Sequence, residues 1–140
     1  MYNLIEMKIR NAIRGDLPKI FSLAEKFDLD HRNMQTKNFL IAEEKEKIMG
    51  IVQLRKFKSG YELCSLGVEK KHQKQGIGSK LVKALLKGVK GKIYLATIKP
   101  KYFSKLGFVK TEDFPRFMIK KSEWCEGCCP SKCNIMVKEN

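Results

Sequence analysis

The chain has 140 residues, of which 43% are hydrophobic and 31% charged. This length predicts one domain and argues against a second catalytic domain, and the apolar fraction predicts a packed core and argues against whole-chain disorder. Lysine and arginine number 29 against 15 acidic residues, and the formal net charge is +14. This charge favours anionic partners, namely nucleic acid, a membrane surface or a phosphate-rich small molecule, and argues against polycationic substrates.

No apolar run approaches the roughly 20 residues that span a bilayer. Residues 1–10 carry an acid and no long apolar stretch, which is unlike a secretory signal. We therefore expect a cytoplasmic protein without a membrane partner. In that reducing compartment, the crowding of four of the five cysteines near one end favours metal binding or reduced thiols over a disulfide scaffold.

The first half of the chain predicts a strand, a helix and three further strands. Residues 7–10 alternate as a strand does, and Asp16 is a suitable N-cap for a helix whose apolar residues recur at helical spacing up to Phe27. Residues 28–37 predict a loop or short helix. An antiparallel meander is expected from strands at 39–42, 48–57 and 61–68, separated by turns at 43–47 and at Lys58-Ser59-Gly60.

The second half changes to helical spacing. An amphipathic helix with a lysine-rich outer face is predicted from Ile77 to Val89, ended by Gly91. A strand at 93–98, a short helix at 101–106 and final strands at 108–110 and 117–120 are then expected. The chain is thus mixed α/β, with a meander that leads into a parallel, right-handed strand–helix–strand unit.

The segment between the third meander strand and the long helix favours an anion site. Gly76 and Gly78 leave backbone N–H groups uncovered at a helix N-terminus, where the helix dipole is positive. A diphosphate fits such a place, although two glycines alone would favour a simple tight turn. The flanking strand and helix favour the anion site, and basic charge surrounds it at Lys70, Lys71, Lys74 and Lys80.

Three motifs in this order resemble the GNAT superfamily of acyl-CoA-dependent N-acyltransferases. Residues 62–68 with Gln73-x-x-Gly76-x-Gly78 resemble its motif A, residues 102–108 resemble its motif B, and residues 9–18 are similar to its N-terminal segment. The resemblance implies the GNAT fold, a mixed and mostly antiparallel central sheet flanked by helices. We expect a GNAT domain at 1–120 and a cysteine-rich tail at 121–140 that packs on this domain or continues it.

The resemblance also implies acetyl-CoA as cosubstrate. Backbone N–H groups of the glycine-containing loop would hold its pyrophosphate, and the backbones of Leu66 and Val68 would pair with pantetheine. An N–H near Leu66 would stabilise the tetrahedral oxyanion. The residues expected to bind the cosubstrate are Leu66, Val68, Gln73, Lys74, Gln75, Gly76, Ile77, Gly78, Ser79 and Phe103.

The implied reaction is direct attack of a neutral primary amine on the thioester in a ternary complex, so a base must remove the amine proton. Glu62 aligns with the catalytic glutamate of some members, and an ordinary exposed strand glutamate is the alternative. Many members protonate the leaving thiolate with a motif B tyrosine, but Phe103 stands at that position here. Tyr102, about 100° away around a helix, is the remaining acid candidate, with a core or surface aromatic as its alternative.

The acceptor is expected to be an amino acid or another small molecule, as in amino-acid acetyltransferase-like members of the family. Alternatives are acetylation of a protein N-terminus or lysine, a CoA-binding sensor without catalysis, and a basic nucleic-acid-binding module. Dispersed lysines and the lack of an RRM, KH or helix-turn-helix pattern disfavour nucleic acid. A homodimer is expected only by analogy with the superfamily.

Four cysteines in the tail are candidate zinc or iron–sulfur ligands: Cys125, Cys128, Cys129 and Cys133. Their crowding differs from the two separated Cys-x2-Cys pairs of strong zinc signatures, and reduced thiols or a disulfide are the alternatives. Cys64 is expected to be a small core residue. His31 and His72 show no metal-ligand spacing.

Overall fold

The computed structural model describes residues 7–27, 29, 36–70, 76–118 and 134–140. Their strands are β1 (Lys8–Asn11), β2 (Phe39–Glu44), β3 (Lys47–Phe57), β4 (Gly60–Val68), β5 (Lys92–Thr97), β6 (Val109–Lys110) and β7 (Asn134–Glu139). The helices are α1 (Leu17–Lys26), α2 (Ile77–Leu86) and α3 (Pro100–Ser104), with short 3-10 helices at Arg14–Asp16 and Arg116–Met118.

The strands are hydrogen-bonded in the order β1-β2-β3-β4-β5-β7-β6. β1 with β2, β2 with β3, β5 with β7, and β6 with β7 pair antiparallel, whereas β4 and β5 pair in parallel. This confirms the predicted fold class, a mixed and mostly antiparallel sheet with flanking helices. It also confirms the strand–helix–strand unit, which β4, α2 and β5 form.

The predicted strand at 117–120 is wrong where the structure describes it, because Phe117 and Met118 lie in the 3-10 helix. The strand that follows β6 is β7, which the sequence analysis missed. Its short apolar centre follows the cysteine-rich segment, and the long-range pairing of Tyr94 with Val137 makes it a strand. α2 also ends three residues earlier than predicted, because Gly88 already adopts the left-handed conformation, with φ 82°.

Two compact units make up the fold, and the first comprises Met1–Gln53 with Ser65–Lys87. In this unit α1 buries Ile20 and Leu23 against Phe39, Ile41 and Ile51 of β2 and β3. α2 buries a stripe at helical spacing, namely Ile77, Leu81, Val82 and Leu86. Each helix therefore forms because one face is apolar, and each packs that face on the strands.

Two glycines in the strands of the first unit show which face each helix covers. A methyl group placed on Gly50 would lie 3.0 Å from Leu81 of α2, and one placed on Gly67 would lie 2.9 Å from Phe27, which follows α1. Gly50 shares its face with Val68, whose Cγ2 lies 3.3 Å from the same added methyl. Since Gly67 and Val68 are successive residues of β4, α1 and α2 cover opposite faces.

The second unit comprises Leu54–Cys64 with Gly88–Asn140. One group of its side chains is fully apolar and buried, with β5, β7 and the segment after α3 contributing Ile93, Leu95, Met136 and Phe108. A second group is aromatic. Phe117 stacks on Phe57 with ring centroids 4.1 Å apart and meets Tyr94 edge-on at 5.9 Å.

Candidate active site

The start of α2 has the geometry that the glycine spacing predicted. Gly76 precedes the helix in the left-handed conformation, with φ 75° and ψ 14°, and as a glycine it contributes no side chain to cap the first turn. The first helical hydrogen bond runs from the N–H of Lys80 to the carbonyl of Gly76 at 3.1 Å. The N–H groups of Ile77 and Gly78 therefore lie ahead of the intrahelical ladder, at the positive end of the helix dipole.

Gly76 and Ile77 differ in burial at this turn. Gly76 is exposed, and a methyl group placed on it would meet no atom of the described residues within 4 Å. Ile77, by contrast, is buried and fixes the first turn against the core of its unit. The arrangement presents backbone donors at a helix N-terminus, which is a geometry that suits phosphate groups.

The C-terminal part of β4 carries the residues expected beside pantetheine. Leu66 and Val68 are half-buried, and they share the face that α2 covers. Between them, Gly67 is buried against Phe27 and Leu29 on the opposite face. The backbone of this strand end is therefore held from one side by side chains that follow α1, and any side chain at position 67 would require them or the strand end to move.

A β-bulge interrupts β4 at Ser65, which has φ 56°. A two-residue turn joins β3 to β4, and unbroken pairing from that turn would set Val68 opposite Met49. The N–H of Glu69 instead donates to the carbonyl of Met49 at 2.7 Å, so β4 contains one extra residue. The Ser65 hydroxyl donates to Oε1 of Gln53 at 3.5 Å. Bulges reorient backbone N–H groups, and this one lies next to the predicted oxyanion donor near Leu66.

In the second unit, Glu62 is a buried carboxylate rather than an exposed strand residue. Its side chain is 4% exposed and pairs with Arg55, whose Nη1 lies 3.9 Å from the Glu62 Oε1. Glu62 is also in register with Tyr94 of β5. The sequence analysis did not select Arg55 as a site residue. The signal for it is the two-residue turn at Lys58-Ser59, which sets residues 55 and 62 opposite each other.

Of the other arginines, Arg10 already serves a structural ion pair. Its guanidinium donates to Asp16 at 2.9 Å and to Glu43 at 2.9 Å, and so connects β1, the turn before α1 and β2. These two carboxylates hold the pKa of Arg10 well above its usual range. The Arg10 hydrogen bond also lowers the pKa of Asp16, and a hydrogen bond from the N–H of Ile13 acts in the same direction.

α3 presents Tyr102 and Phe103 differently. Phe103 is 8% exposed, and its ring packs edge-on against Phe108 at 6.0 Å, so it contributes to the core of the second unit. Tyr102 is half-buried and lies edge-on to Phe103 at 5.0 Å. Of these two, only Tyr102 carries a hydroxyl. Cys64 of β4 is half-buried rather than fully buried.

Several predicted residues lie outside the part of the chain that the structure describes. They are Gln73, Lys74 and Gln75 of the loop before α2, and the four tail cysteines Cys125, Cys128, Cys129 and Cys133. Among the described residues, no group of three or more His, Cys, Asp or Glu side chains is placed to hold a metal ion. Within those same ranges, no helix has the length and apolarity needed to cross a membrane.

Comparison with known protein families agrees with this geometry. The sequence model described as "Acetyltransferase (GNAT) domain" matches residues 35–110, more than half of the chain. The matched stretch contains β2 to β6 and therefore both the glycine turn before α2 and the strand that carries Glu62. The chain belongs to the GNAT acetyltransferase family. No curated protein sequence matches it.

Solved structures show the same fold at low sequence identity. N-acetylglutamate synthase from Neisseria gonorrhoeae, complexed with coenzyme A and N-acetyl-glutamate, has a TM-score of 0.72 at 18% identity, with 98% of this chain and 36% of that chain covered. The same enzyme complexed with coenzyme A and L-arginine is covered over 33% of its chain. This chain thus spans about a third of the length of those structures.

Two further structures match along nearly their whole length. A Mycobacterium tuberculosis protein in complex with CoA and NLQ has a TM-score of 0.74 at 17% identity, covering 95% of this chain and 99% of that chain. Arabidopsis thaliana Naa50, in complex with the bisubstrate analogue CoA-Ac-MVNAL, has a TM-score of 0.67 at 18% identity, covering 97% and 100%.

Proposed function

We propose that this protein transfers an acetyl group from acetyl-CoA to the primary amine of a small molecule, with a free amino acid as the preferred acceptor. The observation that carries the proposal is the start of α2, where Gly76 precedes a helix end whose first backbone N–H groups lie ahead of the intrahelical hydrogen bonds, in the segment that follows β4. Membership of the GNAT family supports the same chemistry. The acceptor class is supported by the amino-acid ligand named for the Neisseria gonorrhoeae enzyme.

Acetyl-CoA would be held mainly by backbone groups. The N–H groups at Gln75 to Ser79 would bind the pyrophosphate, with Gln73 and Lys74 contributing from the preceding loop. The backbones of Leu66 and Val68 would pair with pantetheine, and Phe103 would border the thioester end. Because the donors belong to a helix turn that Ile77 anchors in the core, they are oriented before the cosubstrate arrives.

In the chemical step the amine lone pair attacks the thioester carbonyl carbon, and the carbon–sulfur bond breaks with its electron pair leaving on the CoA sulfur. Glu62 would take the amine proton, directly or through a water molecule. Tyr102 would supply a proton to the leaving thiolate. A thiol with a solution pKa of about 8.5 leaves well without an acid, so that contribution is small.

A thiol-release assay with acetyl-CoA tests the proposal across amino acids, polyamines and N-terminal peptides. We expect turnover with at least one amino acid, and a large loss in Glu62→Gln with the cosubstrate affinity kept. Peptide acetylation alone would instead favour the protein N-terminal or lysine activity, for which the Naa50 likeness is the support. A complete blank together with no thermal shift from CoA would overturn the acetyltransferase proposal.

A second candidate is a CoA-binding sensor without catalysis, and one observation favours it. The motif B position is occupied by Phe103, a core residue without a hydroxyl. Binding of CoA with turnover on no amine would identify the sensor. The nucleic-acid module would show salt-dependent DNA binding without CoA binding.

Four further expectations remain predictions from the sequence. They are a cytoplasmic location, a homodimer, the domain limits 1–120 and 121–140, and a metal held by the tail cysteines. The last has a direct test in metal analysis of protein purified without chelator. Less than about 0.2 equivalents of any transition metal would refute a structural site, because such a site binds tightly when its ligands are thiolates.

A further inference from the structure

Arg55 and Glu62 form a cross-strand pair whose position follows from the turn between them. β3 ends at Phe57 and β4 begins at Gly60, so residues 57 and 60 close a two-residue hairpin. Two residues away from the turn on each strand, Arg55 and Glu62 lie directly opposite each other and point to the same face. Their charged atoms are 3.9 Å apart.

The surroundings of the pair are apolar and aromatic. Phe57 shares the face of Arg55 because it is two residues along β3, and Tyr94 shares the face of Glu62 because the two are in register. Phe117 joins these rings, stacked on Phe57 at 4.1 Å and edge-on to Tyr94 at 5.9 Å. The Glu62 side chain is 4% exposed, whereas Arg55 keeps 21% of its side chain in solvent.

A carboxylate in such a place needs a compensating charge. Burial disfavours the ionised form of a carboxyl group, and a positive charge within about 4–6 Å favours it. A general base must be ionised before it can accept a proton. We infer that Arg55 is a positioning residue for Glu62, whose buried carboxylate it holds in the ion pair and orients for proton removal from the acceptor amine. The inference rests on the proposed function, in which Glu62 is the base.

Other titratable groups on this face are less suited to that role. Tyr94 of β5 carries a phenol and Cys64, two residues beyond Glu62 on the same strand, carries a thiol, and neither group supplies a positive charge. Lys92 shares the face at the start of β5, but it is exposed and in register with the acidic Glu139 of β7. Arg55 is the cation directly opposite the carboxylate, so a single substitution separates its contribution from the others.

The test compares Arg55→Met, which keeps much of the side-chain volume but removes the charge, with Arg55→Lys and with the control Arg116→Met. Arg116 is exposed in the 3-10 helix and outside the proposed machinery. We expect Arg55→Met to lower kcat/KM by about tenfold while the affinity for CoA is kept, because the base loses the group that orients it. Arg55→Lys should restore most of it, and Arg116→Met should match the wild type.

A double-mutant cycle separates this role from a purely structural one. If Arg55 acts through Glu62, Arg55→Met should cause no further loss of kcat/KM in the Glu62→Gln background. Equal losses in both backgrounds, or an unchanged kcat/KM in Arg55→Met, would overturn the inference while leaving acetyl transfer intact. Thermal unfolding and CoA binding of each variant show that it is folded.

A readout without turnover keeps the test independent of the proposed reaction. The side-chain carboxyl carbon of Glu62 can be observed by NMR at one fixed pH in the wild type, in Arg55→Met and in the control Arg116→Met. We expect its chemical shift to change in Arg55→Met, because the guanidinium 3.9 Å away is removed, and to stay unchanged in Arg116→Met. An unchanged shift in Arg55→Met would reject the influence of Arg55, whereas a changed shift in an inactive protein would reject only the proposed activity.

Discussion

Gly67 is the position where a single methyl group should have the clearest effect. In Gly67→Ala the new Cβ would lie 2.9 Å from Cδ1 of Leu29 and 2.9 Å from Cδ2 of Phe27. Carbon atoms pack best at about 3.5–4.0 Å, so both side chains, or the end of β4 itself, must move by more than half an ångström. Overpacking of this kind costs about 1–3 kcal/mol of unfolding free energy.

Two other glycines serve as controls for Gly67→Ala because each isolates one variable. Gly15→Ala adds a methyl group in open space at an unstrained backbone, and its unfolding free energy should stay within about 0.5 kcal/mol of the wild type. The methyl group of Gly76→Ala also meets no atom of the described residues within 4 Å, but it is added at φ 75°, so a backbone strain of about 1–2 kcal/mol is expected. The comparison separates steric from conformational cost.

The assay is equilibrium urea unfolding, followed by CoA titration of each folded variant. We expect Gly67→Ala to lose stability and to bind CoA more weakly, because Leu66 and Val68 on either side of it are the residues proposed to pair with pantetheine. A Gly67→Ala protein as stable as Gly15→Ala would refute the packing argument. If Gly67→Ala loses stability as expected but binds CoA with unchanged affinity, the proposed placement of pantetheine beside Leu66 and Val68 is refuted.

Three further predictions concern stability and mechanism. Asp16→Asn should lose about 1–3 kcal/mol of unfolding free energy at pH 7 in urea unfolding. The difference from the wild type should close below about pH 4, because the pKa of Asp16 is lowered in the folded protein and protonation removes the stability that its ionised form contributes. A difference that persists in acid would contradict the ion pair. Leu81→Ala removes a fully buried side chain of α2 and should cost about 2–5 kcal/mol, against a change near zero for Lys83→Ala on the exposed face. Tyr102→Phe should reduce kcat less than about tenfold, and wild-type turnover would remove Tyr102 from the mechanism.

Local patterns predicted the part of the fold that the cosubstrate would use. The change from strand to helical spacing before Ile77 is a feature of consecutive residues, and so is the pair of glycines that opens α2. The structure has Gly76 in the left-handed conformation that only glycine adopts without cost. The motifs at 62–68 and 102–108 resemble family motifs that occur in a set order, and that order predicted the sequence of strands and helices.

Long-range pairing and one backbone irregularity were not predictable in the same way. β7 has a short apolar centre, and it is a strand because β5 and β6 provide partners on both sides. The bulge at Ser65 requires a positive φ at a residue that ordinarily avoids it, so no local signal marks it. Glu62 is buried in β4 beside Tyr94 of β5, which comes from a distant part of the chain, so its burial has no local signal either.

The position of β7 has a consequence for biosynthesis. β7 is made after every other described strand, yet its place is between β5 and β6. At about 5–20 residues per second, the ribosome leaves the β5 edge unpaired for several seconds before residues 134–139 emerge. An unpaired edge is a template for strands of other chains. A protein cut before Asn134 would keep Glu62 and Tyr102 but hold that edge open permanently, so we expect it to accumulate as insoluble aggregates during expression.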